Sequence, residues 1–285
     1  MKKEDLSAQA RQDKFATVDA KMRDWGVDVT DFGFYDSPAF LRQEQRDPTA
    51  LEDYARWVAF RPRGEVYDTH VRQVVPKLVE IVGRALASDD MQGSCTMAGC
   101  MISRMLDRLG VWSVGIHGSL VVELPRQRIW RGLQDVDTLD RADGTTGHAW
   151  VFAPPFAIGD ATLGLQPWGS PLDESMPKTL VVEAPGHVVI PQVTDVVGAE
   201  IVQQYLRHEG ELDPNLHLRL AKRLKPVSEF APAIEVTHGD IVLRYVPSAV
   251  RLSDVPLEEI NTSGSKGRTG AAIWRDDVAP QFDVT

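Results

Sequence analysis

The run Gln92-Gly93-Ser94-Cys95-Thr96-Met97-Ala98-Gly99-Cys100-Met101, continued to Leu109-Gly110-Val111, decides how the chain is read. Ser94 is a residue type that caps helix starts, which puts Cys95 at the first helical position. At about 100° per residue, Met97, Ala98, Met101, Ile102, Met105, Leu106 and Leu109 fall in one broad apolar arc. Cys95 lies at the edge of that arc, while Cys100 projects with Arg104 and Asp107 on the polar side. The helical phase therefore aims Cys95 at whatever the helix packs against. A helix start also favours a thiolate, through the positive end of the macrodipole. Cys100, in the second turn, feels much less of it. A free cysteine is more often a small buried hydrophobe than a nucleophile, so the thiol needs a partner before it carries chemistry.

Gly147-His148-Ala149-Trp150-Val151 supplies one. It reads as a strand with His148, Trp150 and Phe152 on one face. Ala153-Pro154-Pro155 turns the chain, and Phe156 to Thr162 returns. A symmetric hairpin centred on Pro154 sets His148 directly opposite Asp160, where Cβ atoms stand about 4.5–5.5 Å apart. A carboxylate on one imidazole nitrogen leaves the other to serve a thiol. His117 is out of phase with Val114 and Ile116 and reads as a surface or packing residue. His70, His187, His208, His217 and His238 have no carboxylate partner in a defined hairpin. No Cys-x-x-Cys or His-x-x-x-His spacing occurs, so neither a metal nor another cofactor is expected.

Outward from these stretches, residues 1–25 read as a helix with Phe15, Val18, Met22 and Trp25 in one stripe, closed by Gly26. Val27 to Asp47 reads as a packed connection and Leu51 to Val58 as a short helix. Residues 68–87 form a regular apolar helix through Val71, Val74, Val75, Leu78, Ile81, Val82 and Ala85. Strands follow over Trp112–Leu124, Gly147–Ala153, Phe156–Leu163, Thr179–Glu183 and His187–Ile190. A polar excursion lies over Pro125–Thr146. Helices return near 196–207 and 214–224, a last strand spans Asp240–Val246, and the residues after it read as an extended tail. Its stretch Asn261 to Gly270 has linker composition and lacks the spacing of a phosphate-binding loop. The expected organisation is a helical region over 1–90, a core over 91–250 and a tail over 251–285.

At 285 residues with a net charge of -10, the chain can bury a full core and is a poor fit to nucleic acid or an anionic membrane. No run approaches the ~18 apolar residues of a membrane span. The N-terminus is charged with no apolar segment behind it. Cys95 and Cys100, about 8–9 Å apart on a helix, are too distant for a disulfide. A reduced, cytoplasmic setting is the expectation.

The stretch from Gly93-Ser94-Cys95 through Leu109-Gly110-Val111-Trp112-Ser113-Val114 resembles the nucleophile helix and following strand of the transglutaminase-like superfamily. Gly147-His148-Ala149-Trp150-Val151 and Asp160-Ala161-Thr162 look like that family's His-Ala-Trp-Val and Asp-Pro-Thr strands. Trp112-Ser113 stands where Pro-Ala is usual, and Ala161 where Pro is common. The resemblance covers residues 92–163. It implies an α+β papain-like core, with the nucleophile helix packed on an antiparallel sheet. It also implies a Cys95-His148-Asp160 triad acting on a peptide or protein amide through a thioester. Backbone N–H of Cys95 is the first oxyanion donor expected. Gln92, through its amide, and Trp57, through its indole N–H, are candidates for a second. Hydrolysis, as in a cysteine peptidase or amidase, is the leading expectation. Transglutaminase-type or N-acyltransferase chemistry and a non-catalytic binding scaffold are the alternatives. Oligomeric state is not legible.

Overall fold

The computed structural model describes residues 3–137, 146–253, 255–261 and 267–284, without the side chains of residues 3–7. The middle of the 125–146 excursion, much of the 261–270 linker and the first two residues lie outside the described residues. Five helices precede the first strand: α1 (Lys3–Asp24), α2 (Pro38–Glu44), α3 (Ala50–Phe60), α4 (Glu65–Ser88) and α5 (Cys95–Arg108). Helix α2 forms inside the stretch read as a connection, because Ser37 Oγ accepts from the Phe40 N–H and Pro38 fits the first turn. Helix α5 ends where Gly110 takes φ 69°. There the Val111 N–H reaches back to the Leu106 carbonyl and the Gly110 N–H to that of Asp107, closing a glycine-terminated helix end.

Eight strands follow, in one antiparallel sheet curled into a half-barrel. They are β1 (Val114–Leu124), β2 (Ile129–Leu133), β3 (His148–Ala153), β4 (Phe156–Asp160), β5 (Leu180–Glu183), β6 (His187–Val188), β7 (Ile234–His238) and β8 (Ile241–Val250). Their order is β5-β4-β3-β1-β8-β7-β6, with β2 also paired to β1. The last strand pairs with the first in the middle of the sheet, which leaves β5 and β6 at its ends. Between the strands lie α6 (Leu172–Ser175), α7 (Val193–Val196), α8 (Ala199–Glu209), α9 (Leu216–Leu220) and α10 (Leu224–Ser228). Strands β2 and β7 are additional to those expected, and the helix expected over 214–224 is two short ones.

Each face of the sheet carries its own core. Ile116, Leu120, Trp150 and Tyr245 share one with Met22 of α1 and Tyr54 of α3. Val151 and Ala153 share the other with Val75 and Leu78 of α4 and Ile102 and Leu106 of α5. A smaller cluster joins α7 to α10 against Val246. The region over 1–90 is thus part of the same core rather than a layer of its own. Nor is the end of the chain simply extended: α11 (Gly270–Ile273) and the helical turns after it bury Ile273, Trp274 and Val278 in the α4–α5 core. Apolar spacing at 273, 274 and 278 is too short a signal to separate a docked turn from a linker. Among the described residues no helix is long and apolar enough to cross a membrane.

Candidate active site

Three elements converge on one point. The N-terminal turn of α5 presents Cys95, the start of β3 presents His148, and the end of β4 presents Asp160. His148 and Asp160 are fully buried, whereas Cys95 keeps 9% of its surface. Cys95 is buried as well, but it alone of the three keeps some exposure, and exposed Gln92, Gly93 and Thr96 flank it. His148 Nε2 bonds to Asp160 Oδ2 at 2.6 Å. Its Nδ1 has no other partner among the described residues, and the Cys95 thiol interacts with the same ring.

The expected hairpin register is not the one found. The pair Ala153↔Phe156 leaves a two-residue turn of Pro154 and Pro155, and a bulge then sets Val151 opposite Gly159. Turn and bulge each displace the register by one residue from the symmetric pairing. Carried back to the strand start, it places Asp160 across from Trp150 and diagonal to His148. Diagonal neighbours lie about 7–8 Å apart at Cα, within reach of an imidazole and a carboxylate on one face. The two side chains meet as expected, by a different route.

Asp160 is held from three further directions. The Tyr245 hydroxyl donates to Oδ2 at 2.8 Å, and the Thr162 N–H donates to Oδ1 at 2.9 Å. The Thr162 hydroxyl lies 3.3 Å from Oδ1. Trp150 stacks beside the His148 ring, with centroids 6.3 Å apart. Thr162 belongs to the Asp160-Ala161-Thr162 motif without a role expected for it, and nothing in the sequence points to Tyr245. Tyr245 lies 85 residues beyond Asp160, and only the β1–β8 pairing, Leu120↔Tyr245, brings it alongside.

Electrostatics make the group one coupled unit. Burial pushes the Cys95 thiol up, but the His148 ring and the Ala149 N–H outweigh it and hold the thiol below its ordinary range. Burial alone pulls the His148 imidazole down; the Asp160 charge and the thiol lift it well above the ordinary histidine range. Burial raises the Asp160 carboxyl, and His148, the Thr162 N–H and the Tyr245 hydroxyl bring it below the ordinary value. All three shifts run toward the charged forms: thiolate, imidazolium and carboxylate.

Other sequence expectations fare differently. Ser94 sits at the N-cap position, yet its hydroxyl donates to the Met91 carbonyl at 2.9 Å and does not cap the helix. Neither cysteine is in a disulfide; Cys95 is buried and Cys100 half-buried. The polar side of α5 does not face solvent: Arg104 pairs with Asp36 at 2.9 Å, and Asp107 accepts from the Tyr35 hydroxyl. Trp57 cannot serve as an oxyanion donor as placed, because its indole N–H is committed to Asp19 at 2.9 Å within an aromatic cluster with Phe34 and Trp112. Gln92 is exposed three residues ahead of Cys95, so its amide keeps its candidacy. His117 is not at the surface: it is buried opposite Ala149, with Nε2 3.2 Å from Asp135 Oδ1. Asp135 comes from the polar excursion, whose pairing the sequence does not announce. Among the described residues no cluster of His, Cys, Asp and Glu is arranged to hold a metal.

Compared with known proteins, the chain matches no family model, no curated protein and no solved structure. The chemistry of the site therefore rests on its geometry and on the residues that build it.

Proposed function

We propose that the protein is a thiol-dependent acyl-transfer enzyme of transglutaminase-like type that opens a peptide or protein amide. The supporting observation is a nearly buried thiol at a helix start, backed by a buried imidazole whose far nitrogen is bound to a buried carboxylate. In this reading the Cys95 thiolate attacks the amide carbonyl carbon. The imidazolium of His148 gives its proton to the departing amine, and a thioester remains on Cys95. Asp160 keeps the ring oriented and stabilises its positive charge. Water then attacks the thioester, His148 takes its proton, and the acid leaves with the thiolate restored. An amine in place of water would make the same site a transglutaminase. We favour water, and a reducing intracellular compartment fits a site that depends on a free thiol.

The backbone N–H of Cys95, at the open end of α5, is the natural donor to the oxyanion. Helix α5 packed on an antiparallel sheet supports the transglutaminase-like reading of the Cys, His and Asp order.

The test is to treat the whole protein with a peptide vinyl sulfone and locate the adduct by peptide mass mapping. The expected adduct lies on Cys95, persists in Cys100→Ser, and is lost in Cys95→Ser and His148→Ala. Equal modification of both cysteines would overturn the assignment. A peptide library with and without a primary amine then separates hydrolysis from amine transfer. Absence of either product would favour a binding scaffold.

A further inference from the structure

On the sheet face opposite α5 lies a cavity of about 630 Å³, a size typical of small-molecule sites. Its floor is Trp150, Ile158, Ile234 and Tyr245, all buried. The chain as a whole is acidic, with a net charge of -10. Yet among the described residues no acidic one lines this cavity, and Arg11, Lys14 and Arg63 line it together. That is the reverse of what composition would place there.

The cations are also short of partners. Arg63 pairs with Asp68 at 2.7 Å through Nε, but its buried Nη1 meets no acceptor among the described residues. A buried guanidinium N–H without an acceptor is costly unless something else supplies one. Arg11 reaches only the Ala59 carbonyl, at 2.7 Å. Burial and then the Arg63 charge draw its guanidinium below the usual range, which places the two cations within each other's field. The Lys14 ammonium lies over the Phe60 ring, 5.1 Å from its centroid, with no ion pair found for it among the described residues. Two guanidiniums and one ammonium thus line an apolar chamber, and among the described residues Asp68 is the carboxylate acting on Arg11 and Arg63.

We infer that this cavity is a binding site for an apolar carboxylate, such as a medium-chain fatty acid, with its chain against Trp150, Ile158 and Ile234 and its head group between Arg11 and Arg63. Arginine forks suit carboxylate oxygens in paired geometry, and the cation wall excludes amphiphiles of positive charge. Cys95 does not line the cavity, although its floor residues Trp150 and Tyr245 also touch His148 and Asp160, and the inference stands whether or not Cys95 is a nucleophile.

Titration calorimetry of the full chain with sodium decanoate tests it, with decyltrimethylammonium and acetate as controls for charge and for the head group alone. Saturable binding of one decanoate per chain is expected, with neither control binding comparably. Arg11→Glu and Arg63→Gln should each weaken binding by about tenfold or more, the scale of a lost charge-assisted pair. Arg11 is exposed, so its variant remains informative if Arg63→Gln disturbs the fold. Absence of saturable binding, equal binding of the cationic amphiphile, or decanoate affinity unchanged in a folded Arg11→Glu protein would each overturn the assignment.

Discussion

The pH dependence of the Cys95 thiol is set by a charge two residues removed from it in the chain of contacts. Asp160 touches His148 and not the sulfur; its own charge slightly opposes the thiolate, and its larger effect runs through the imidazolium it sustains. Removing that charge leaves a buried ring that burial alone pushes toward the neutral form. A neutral neighbour no longer stabilises the thiolate, and burial then raises the thiol. Asp160→Asn should therefore move the acid limb of Cys95 alkylation by iodoacetamide to higher pH by about one unit or more, with a slower rate at pH 6. Tyr245→Phe removes a hydrogen bond but keeps the carboxylate charge, so its limb should move much less. Equal shifts in both variants would mean that the bonds around Asp160, and not its charge, govern the thiol.

At the scale of elements, the loop after β4 is held by the approach of α4. A Cβ at Gly83 would stand 2.8 Å from the Ala161 carbonyl oxygen and 2.6 Å from Thr179 Cγ2. Ala161 separates Asp160 from Thr162, whose N–H holds the carboxylate. Gly to Ala in a helix interior ordinarily gains about 1 kcal/mol, but overpacking costs about 1–3 kcal/mol and here the obstacle is backbone. Gly83→Ala should lower the urea midpoint and slow Cys95 alkylation at pH 6 together; a raised midpoint would show that the approach is loose. The contribution of Gly83 could not be foreseen, although α4 itself was plain from its apolar period. The same divide runs through the rest of the chain. Helix α5 and the β3–β4 hairpin were legible because their signals are local: an apolar arc after Ser94-Cys95, and a Pro154-Pro155 turn between apolar runs. Tyr245, Asp135 and the Asp19 partner of Trp57 were not, because each meets its partner through pairing or packing between distant parts of the chain. In β2 the alternation is broken by Arg131 and Gly132; β7 does alternate, Ile234-Glu235-Val236-Thr237-His238, but over five residues that is a weak signal until its pairing with β8 is seen.

For the molecule as a whole, one buried carboxylate ties stability to pH. Helix α5 carries Asp107 against the segment after α1, where Tyr35 donates to Oδ2 while Oδ1 meets no donor among the described residues. Burial, followed by the opposing pull of Tyr35 and Arg104 and the push of Asp36, leaves the Asp107 carboxyl at about 7. In the unfolded chain such a group titrates near its ordinary value of 3.8. Between those two values the folded state binds a proton that the unfolded state does not. Stability from this group is therefore fully present below the lower value and is lost as pH rises through the upper one. Asparagine keeps an acceptor for Tyr35 and carries no charge at any pH. Asp107→Asn should then be more stable than the parent at pH 8, by about 2 kcal/mol on the scale of an under-compensated buried group. That advantage should shrink toward pH 5, where the parent is itself protonated when folded. Urea unfolding at the two pH values measures the gap directly, and a gap no larger at pH 8 than at pH 5 would place the Asp107 proton elsewhere. The direction is opposite to the Asp160 case, although both carboxylates are buried. Asp160 faces an imidazolium and three donor groups, whereas Asp107 has one phenol and a guanidinium already paired to Asp36. What lies opposite the carboxylate, more than how deeply it is buried, decides whether the fold holds it charged for chemistry or keeps it neutral for stability.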